Sequence, residues 1–327
     1  MFNDQVILIT GGTGSFGKEF IKTVFQYYKP RKLIVLSRDE QKQLEMRQLF
    51  PEDKYPSIRY FIGDVRDRDR LNRAFHGVDF VIHAAALKQV PACEYNPFEA
   101  VQTNIMGAKN VIDAAIDNKV KRVMAISTDK AVNPTNLYGA TKLVAEKLFI
   151  QGNYYAAGQT VLSCVRYGNV VGSRGSVIPL FLEQRQTGVI TVTDPRMTRF
   201  WITLKQVAEF VIHCLTQMQG GEVFVPKIPS MRLTDLAEAI APGCEIVFNG
   251  IRPGEKIHEM LLSDDEIHRT LEFDDFFIVK PEFDFWREKH WENGRRLPLE
   301  FRYTSDTNTQ WLLIEELKQM IPELESV

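Results

Sequence analysis

Within sixteen residues of this 327-residue chain lie a hydroxyl, a carboxyl, an amine and a tyrosine–lysine pair. They belong to Ser127-Thr128-Asp129-Lys130 and Tyr138-Gly139-Ala140-Thr141-Lys142. On a helix, residues four apart share a face, so Tyr138 and Lys142 are expected side by side. A lysine charge beside a phenol lowers its pKa and turns a poor base into a usable one. Such a pair suits proton removal from an alcohol whose carbon loses a hydride. Asp129 and Lys130 add an acid and a base that hydride transfer alone does not require.

A hydride acceptor needs its own cradle. Thr10-Gly11-Gly12-Thr13-Gly14-Ser15-Phe16-Gly17 follows a strand-like run, Val6-Ile7-Leu8-Ile9, and opens a helix-like one. Glycines there let the backbone turn tightly and approach a pyrophosphate, and the helix N-terminus offers unpaired N–H groups. Gly11, Thr13, Gly14, Ser15, Phe16 and Gly17 are therefore candidate cofactor residues. The second strand ends Leu36-Ser37-Arg38-Asp39. A small tip residue followed by Arg38, with Lys42 one helical turn on, suits the 2′-phosphate of NADP. Asp39 as a ribose ligand would instead favour NAD. Asp64 and Val65 after the third strand are placed for the adenine. Ala84 and Ala86 after the fourth let a cofactor lie close, and Thr103, Tyr138 and Lys142 complete the set.

These residues need a frame. Short runs rich in β-branched residues recur at Val6–Ile9, Leu33–Leu36, Tyr60–Ile62, Phe80–Ile82, Val123–Ile126 and Val161–Val165. Helix-like segments separate them, near 15–28, 40–49, 68–75, 98–118 and 137–155. This alternation predicts an α/β fold with a Rossmann-type doubly wound parallel sheet. After about residue 170 the rhythm breaks, with helices expected near 205–218, 233–241 and 309–320. We assign 1–170 to an NADP-binding domain, to which later segments are free to return. Residues 171–327 are assigned to a smaller, interleaved substrate-binding region and tail.

Bulk properties exclude several classes. A net charge of −2 gives no pull toward nucleic acid or an anionic membrane. No apolar run reaches the roughly 18 residues of a membrane span, and the polar N-terminus does not read as a signal peptide. The four cysteines, Cys93, Cys164, Cys214 and Cys244, are scattered, and neither they nor the six histidines show metal-ligand spacing. Reduced thiols, no metal and a cytoplasmic location are expected.

The fingerprint, Ala84-Ala85-Ala86 and the Tyr138/Lys142 pair together resemble the extended short-chain dehydrogenase/reductase superfamily. Five further motifs are similar to the UDP-N-acetylglucosamine 4,6-dehydratases: Thr128-Asp129-Lys130, Arg166-Tyr167-Gly168-Asn169-Val170, Gly172-Ser173-Arg174-Gly175-Ser176-Val177, Met197-Thr198-Arg199-Phe200-Trp201 and Arg252-Pro253-Gly254-Glu255-Lys256. Retention of Tyr138 in a short chain resembles the inverting type, which opens pseudaminic acid biosynthesis. The resemblance implies a UDP-N-acetylglucosamine substrate, a recycled NADP and a homo-oligomer, hexamer or dimer. It implies that Tyr138 takes the 4-hydroxyl proton, that Thr128 orients the 4-oxygen, and that Asp129 and Lys130 are acid and base at carbons 6 and 5. The division between those two stays open, as does that between the dehydratase and a UDP-sugar 4-epimerase or a non-catalytic NADP sensor. Lys88, Asn169, Arg174, Arg199, Arg252 and Glu255 are the implied substrate contacts, although Glu255 has an alternative partner in Lys256.

Overall fold

The computed structural model describes residues 1–172, 177–283, 291 and 293–325. Arg174 and the Asp284-Phe285-Trp286 run fall outside them. The first strands are β1 (Val6–Thr10), β2 (Lys32–Ser37), β3 (Ile58–Ile62), β4 (Phe80–His83), β5 (Arg122–Ile126) and β6 (Val161–Val165). They pair in parallel in the order 3-2-1-4-5-6. All five residues of β1 are buried, as its unbroken apolar run demands of a strand covered on both faces. The order reverses between β1 and β4, the switch point where open α/β sheets bind ligands.

The sheet does not end with the first half of the chain. Val223–Pro226 pairs in parallel with β6, Phe276–Val279 then pairs antiparallel with it, and Thr270–Glu272 and Arg295–Arg296 follow. Among the described residues the sheet has ten strands. The Leu204–Gln217 helix packs on α1 (Ser15–Tyr27), with a capping box in which Thr203 and Gln206 satisfy each other's backbone donors. The same two segments therefore alternate between sheet and small region. The latter has its own core of Ile178, Phe181, Ile190, Trp201, Met231, Leu236 and Leu317. Its last helix runs Ile314–Glu325, a few residues beyond the expected 309–320.

Arg166, just past β6, fastens the halves together. Its side chain is 1% exposed and lies between Glu146 of the Leu137–Ala156 helix, at 2.7 Å, and Glu266, at 2.9 Å. It also donates to the Leu261 carbonyl at 2.9 Å. Burial pushes the Glu266 carboxyl up, but the Arg166 charge and hydrogen bonds prevail and hold it at about 2.

Candidate active site

A cleft of about 610 Å³ runs over the C-terminal ends of β1, β2, β4 and β5. Gly11 sits at φ +66°, and a Cβ there would lie 2.8 Å from the Ala85 backbone. Thr10 fixes that approach: its hydroxyl bonds His83 Nδ1 at 2.8 Å and accepts from Ala85 N at 3.3 Å. The first turn of α1 has no side-chain cap and no acidic residue, which leaves its positive end open to an anion.

At the tip of β2, Thr13 and Ser37 hydroxyls meet at 3.0 Å. Asp39 caps the following helix, α2 (Glu40–Leu49), by accepting from Lys42 N at 2.9 Å, and pairs with Lys42 Nζ at 3.1 Å. Its carboxylate is therefore engaged within its own helix. Arg38 stands 3.6 Å from Asp64, which also takes Arg66 at 2.8 Å. Partial burial pushes the Asp64 carboxyl up, but the Arg66 hydrogen bonds and both arginine charges outweigh this and lower it.

The other end of the cleft holds the reactive groups. Thr128 donates to Asp129 Oδ1 at 2.8 Å, and Lys130 Nζ donates to the same oxygen at 3.0 Å. Asp129 is fully buried, and its Oδ2 has no partner. Burial pushes its carboxyl up against the opposing Lys130 charge. Lys130 also faces Glu259 at 3.4 Å. Burial pulls the Lys130 ammonium down, but the two carboxylates outweigh it and raise its pKa above the ordinary lysine value. The neutral amine expected of a base is thus not the resting form.

Tyr138 and Lys142 lie on the Leu137–Ala156 helix, which Asn136 caps by accepting from Gly139 N at 2.8 Å. Lys142 Nζ donates to the Ile126 carbonyl at 2.7 Å. Burial lowers its pKa. The Tyr138 phenol is pushed up to about 12 by burial; the Lys130 charge and a hydrogen bond with Thr128 act against this. In this arrangement Lys130 is the cation that most favours the phenolate.

Every residue assigned to the cofactor from the sequence lines the cleft. So do Thr128, Lys130, Lys88 and Asn169, whereas Asp129 stands behind the wall. Arg199, Arg252 and Glu255 do not line it. Arg199 donates to the Thr198 and Ile257 carbonyls at 2.7 and 2.9 Å. Arg252 is exposed, and Glu255 accepts from its backbone N at 3.4 Å. Lys256 donates to the Val132 carbonyl, and Gly254 O accepts from Thr135 and Asn136. The Arg252–Lys256 motif therefore clasps the loop that follows Lys130.

Among the described residues, four side chains of the wall carry buried polar atoms without a partner: Thr103 Oγ1, Ser127 Oγ, Asn169 Oδ1 and Trp201 Nε1. Groups of this kind are rare in folded proteins and here converge on one cleft, as a polar ligand requires. Thr103 is held there by a π-helical turn, Val101–Met106. In the same turn Asn104 bonds both the N–H and the carbonyl of Leu87. Ser127 and Trp201 lie inside motifs visible in the sequence but carry no role there, and Glu259 gives no signal at all. Glu259 is one of 42 acidic residues, in a stretch with no periodic or glycine signal.

Residues 7–281 match the family model described as polysaccharide biosynthesis protein. The chain is 51% identical, over 99% of both chains, to a Campylobacter jejuni protein named UDP-N-acetylglucosamine 4,6-dehydratase (inverting). It is 41% identical, over 100% of its length and 98% of the relative, to a Rickettsia conorii protein named UDP-glucose 4-epimerase. Among solved structures, Pen from Bacillus thuringiensis superposes with a TM-score of 0.90 at 41% identity, covering 100% of this chain and 99% of that one. The chain belongs to the polysaccharide biosynthesis protein family and to the UDP-N-acetylglucosamine 4,6-dehydratases.

Proposed function

We propose that this chain is an NADP-dependent UDP-N-acetylglucosamine 4,6-dehydratase that inverts carbon 5, the first step of pseudaminic acid biosynthesis. The observation that carries the reading is Lys130 in the cleft wall, with Asp129 behind it and Tyr138 beside it. A 4-epimerase uses the tyrosine but needs no acid–base pair for carbons 5 and 6.

The glycine turn, the open end of α1, Thr103 and Ser127 fit a dinucleotide, and Arg38 and Lys42 with Asp39 engaged as a cap favour NADP over NAD. The cofactor supplies a reversible hydride acceptor, so the sugar is oxidised at carbon 4 and reduced at carbon 6 with no net redox change. Tyr138 takes the 4-hydroxyl proton. With the phenol pushed up to about 12, reaching neutrality requires roughly 7 kcal/mol of selective phenolate stabilisation in the loaded site. Lys130, facing the phenol, and Thr128 contribute to it. Thr128 keeps the 4-oxygen in line.

A 4-ketone acidifies the carbon-5 proton, which Lys130 removes once its amine is neutral. Asp129 carries the proton that leaves with the 6-oxygen as water. Return of a proton to the opposite face of carbon 5 gives the inversion. Asn169 and Lys88 are the substrate contacts that the geometry favours. A homo-oligomer, hexamer or dimer, belongs to the same reading.

Mass spectrometry of the nucleotide sugar after incubation with UDP-N-acetylglucosamine tests the reading. Loss of one water is expected. An unchanged mass with conversion to the 4-epimer would replace the dehydratase by an epimerase.

A further inference from the structure

Two carboxylates face Lys130, and neither lines the cleft. Asp129 is its chain neighbour. Glu259 comes from the far half of the chain, with a side chain only 4% exposed. Its backbone is pinned on both sides by one residue: its N–H donates to Ser305 Oγ at 2.9 Å, and its carbonyl accepts from Ser305 N at 2.8 Å. Ser305 Oγ in turn bonds Thr198 Oγ1 at 2.6 Å. The next residue, Arg199, places Nε 3.9 Å from the same Glu259 oxygen that faces Lys130. The other oxygen, Oε2, is buried without a partner. A buried carboxylate with an orphaned oxygen costs folding free energy, and here its other oxygen faces the Lys130 amine.

The charges facing Lys130 are Asp129 and Glu259 on the negative side and Arg199, Lys256 and Lys88 on the positive, with the Tyr138 phenol adjoining. Asp129, Glu259, Lys130 and Arg199 sum to zero when all are ionised. They also sum to zero after one proton passes from the Lys130 ammonium to Asp129 Oδ1, 3.0 Å away. That step breaks an N–H bond, forms an O–H bond and needs no co-reactant. It leaves the neutral amine and the protonated acid that an elimination requires. Glu259 and Arg199 are the constant pair against which the exchange runs.

We propose that Glu259 is a positioning residue for Lys130: its carboxylate holds the Lys130 amine at the cleft wall and sets how readily that amine gives up its proton. The proposal rests on Lys130 as the base of the proposed reaction. Its direction agrees with the raised pKa of Lys130, to which Glu259 contributes.

Competitive acetylation of the full chain, read by peptide mass, reports the neutral fraction of the Lys130 amine whether or not a sugar turns over. At about pH 9, Glu259→Gln should raise the Lys130 labelling rate, relative to exposed Lys22, about tenfold, and Glu259→Asp by less. Where turnover is measured, the acid limb of kcat/KM against pH should move to lower pH. Unchanged relative labelling in a folded Glu259→Gln chain would overturn the proposal. Should that variant not fold, Glu259→Asp and Ser305→Ala carry the test: faster labelling supports it and unchanged labelling overturns it. Faster labelling in a chain that dehydrates no UDP-N-acetylglucosamine would uphold Glu259 and sink the proposed function.

Discussion

The cofactor end of the cleft and its reactive end are built by different means. The core of the first is continuous in sequence: β1, a glycine turn and the opening of α1 form a cradle from backbone shape and an uncapped helix end. The second gathers Thr128, Lys130, Tyr138, Arg199 and Glu259 from across the chain and presses their charges together in a buried wall. Short-range geometry makes a binding surface. Long-range ion pairing makes a surface whose protons can move. Changes at the first end should therefore alter affinity, and changes at the second should alter rate and pH dependence.

The largest expected effect is at the reactive end. Tyr138→Phe removes the proposed base for the 4-hydroxyl and should lower kcat about 10³–10⁴-fold, or about 4–5 kcal/mol in the barrier. Cofactor affinity and melting temperature should stay close to wild type. A fall in cofactor affinity of similar size would erase the distinction between the two ends. Next is Arg166→Met, which strands Glu146 and Glu266 without their shared cation. A loss of about 3–5 kcal/mol in denaturant unfolding is expected, because an uncompensated charge is left buried. Loss below about 1 kcal/mol would mean that this cluster does not fasten the halves.

The same cluster sets an acid limit. The Glu266 carboxyl titrates at about 2, against 4.5 ordinarily. A depressed carboxylate stabilises the fold fully above its unfolded pKa and loses that contribution as pH falls toward its folded one. Up to about 3 kcal/mol should therefore disappear between about pH 5 and pH 2, and Glu266→Gln should flatten that part of the stability profile. The smallest effect is at the cofactor end. Arg38→Ala should weaken NADP binding about tenfold by calorimetry while changing NAD affinity less than about twofold and leaving kcat intact. Equal weakening of both dinucleotides would remove the case for a 2′-phosphate contact.

The same contrast explains what was legible in the sequence. The strands β1–β6 announce themselves as β-branched runs between longer amphipathic ones, and the glycine turn sits where β1 must hand over to a helix. The Glu222-Val223-Phe224-Val225 run reads as a strand, but nothing local says that it pairs with β6. Strands at 270–272 and 276–279 lie in a stretch dominated by charge and aromatics, where tertiary pairing overrides pattern. Tyr138 and Lys142 are visible by spacing, yet their electrostatic relation is not. Burial against the Ile126 carbonyl occupies Lys142, and the folded chain gives Lys130 the role of facing cation. Arg199, Arg252 and Glu255 carry motif resemblance, but Arg199 sits on the Thr198 and Ile257 carbonyls, and the segment that holds Arg252 and Glu255 clasps the loop after Lys130.

The central claim is that protons move at carbon 5 through the Lys130 wall. Turnover of UDP-N-acetylglucosamine in deuterated water, followed by NMR of the product, tests it most directly. The account predicts a 6-deoxy-4-keto sugar with solvent deuterium at carbon 5 and inverted configuration there. It also predicts that Lys130→Ala abolishes the deuterium incorporation while the chain still binds its cofactor. A UDP-N-acetylgalactosamine product free of deuterium, or undiminished incorporation by Lys130→Ala, would contradict it.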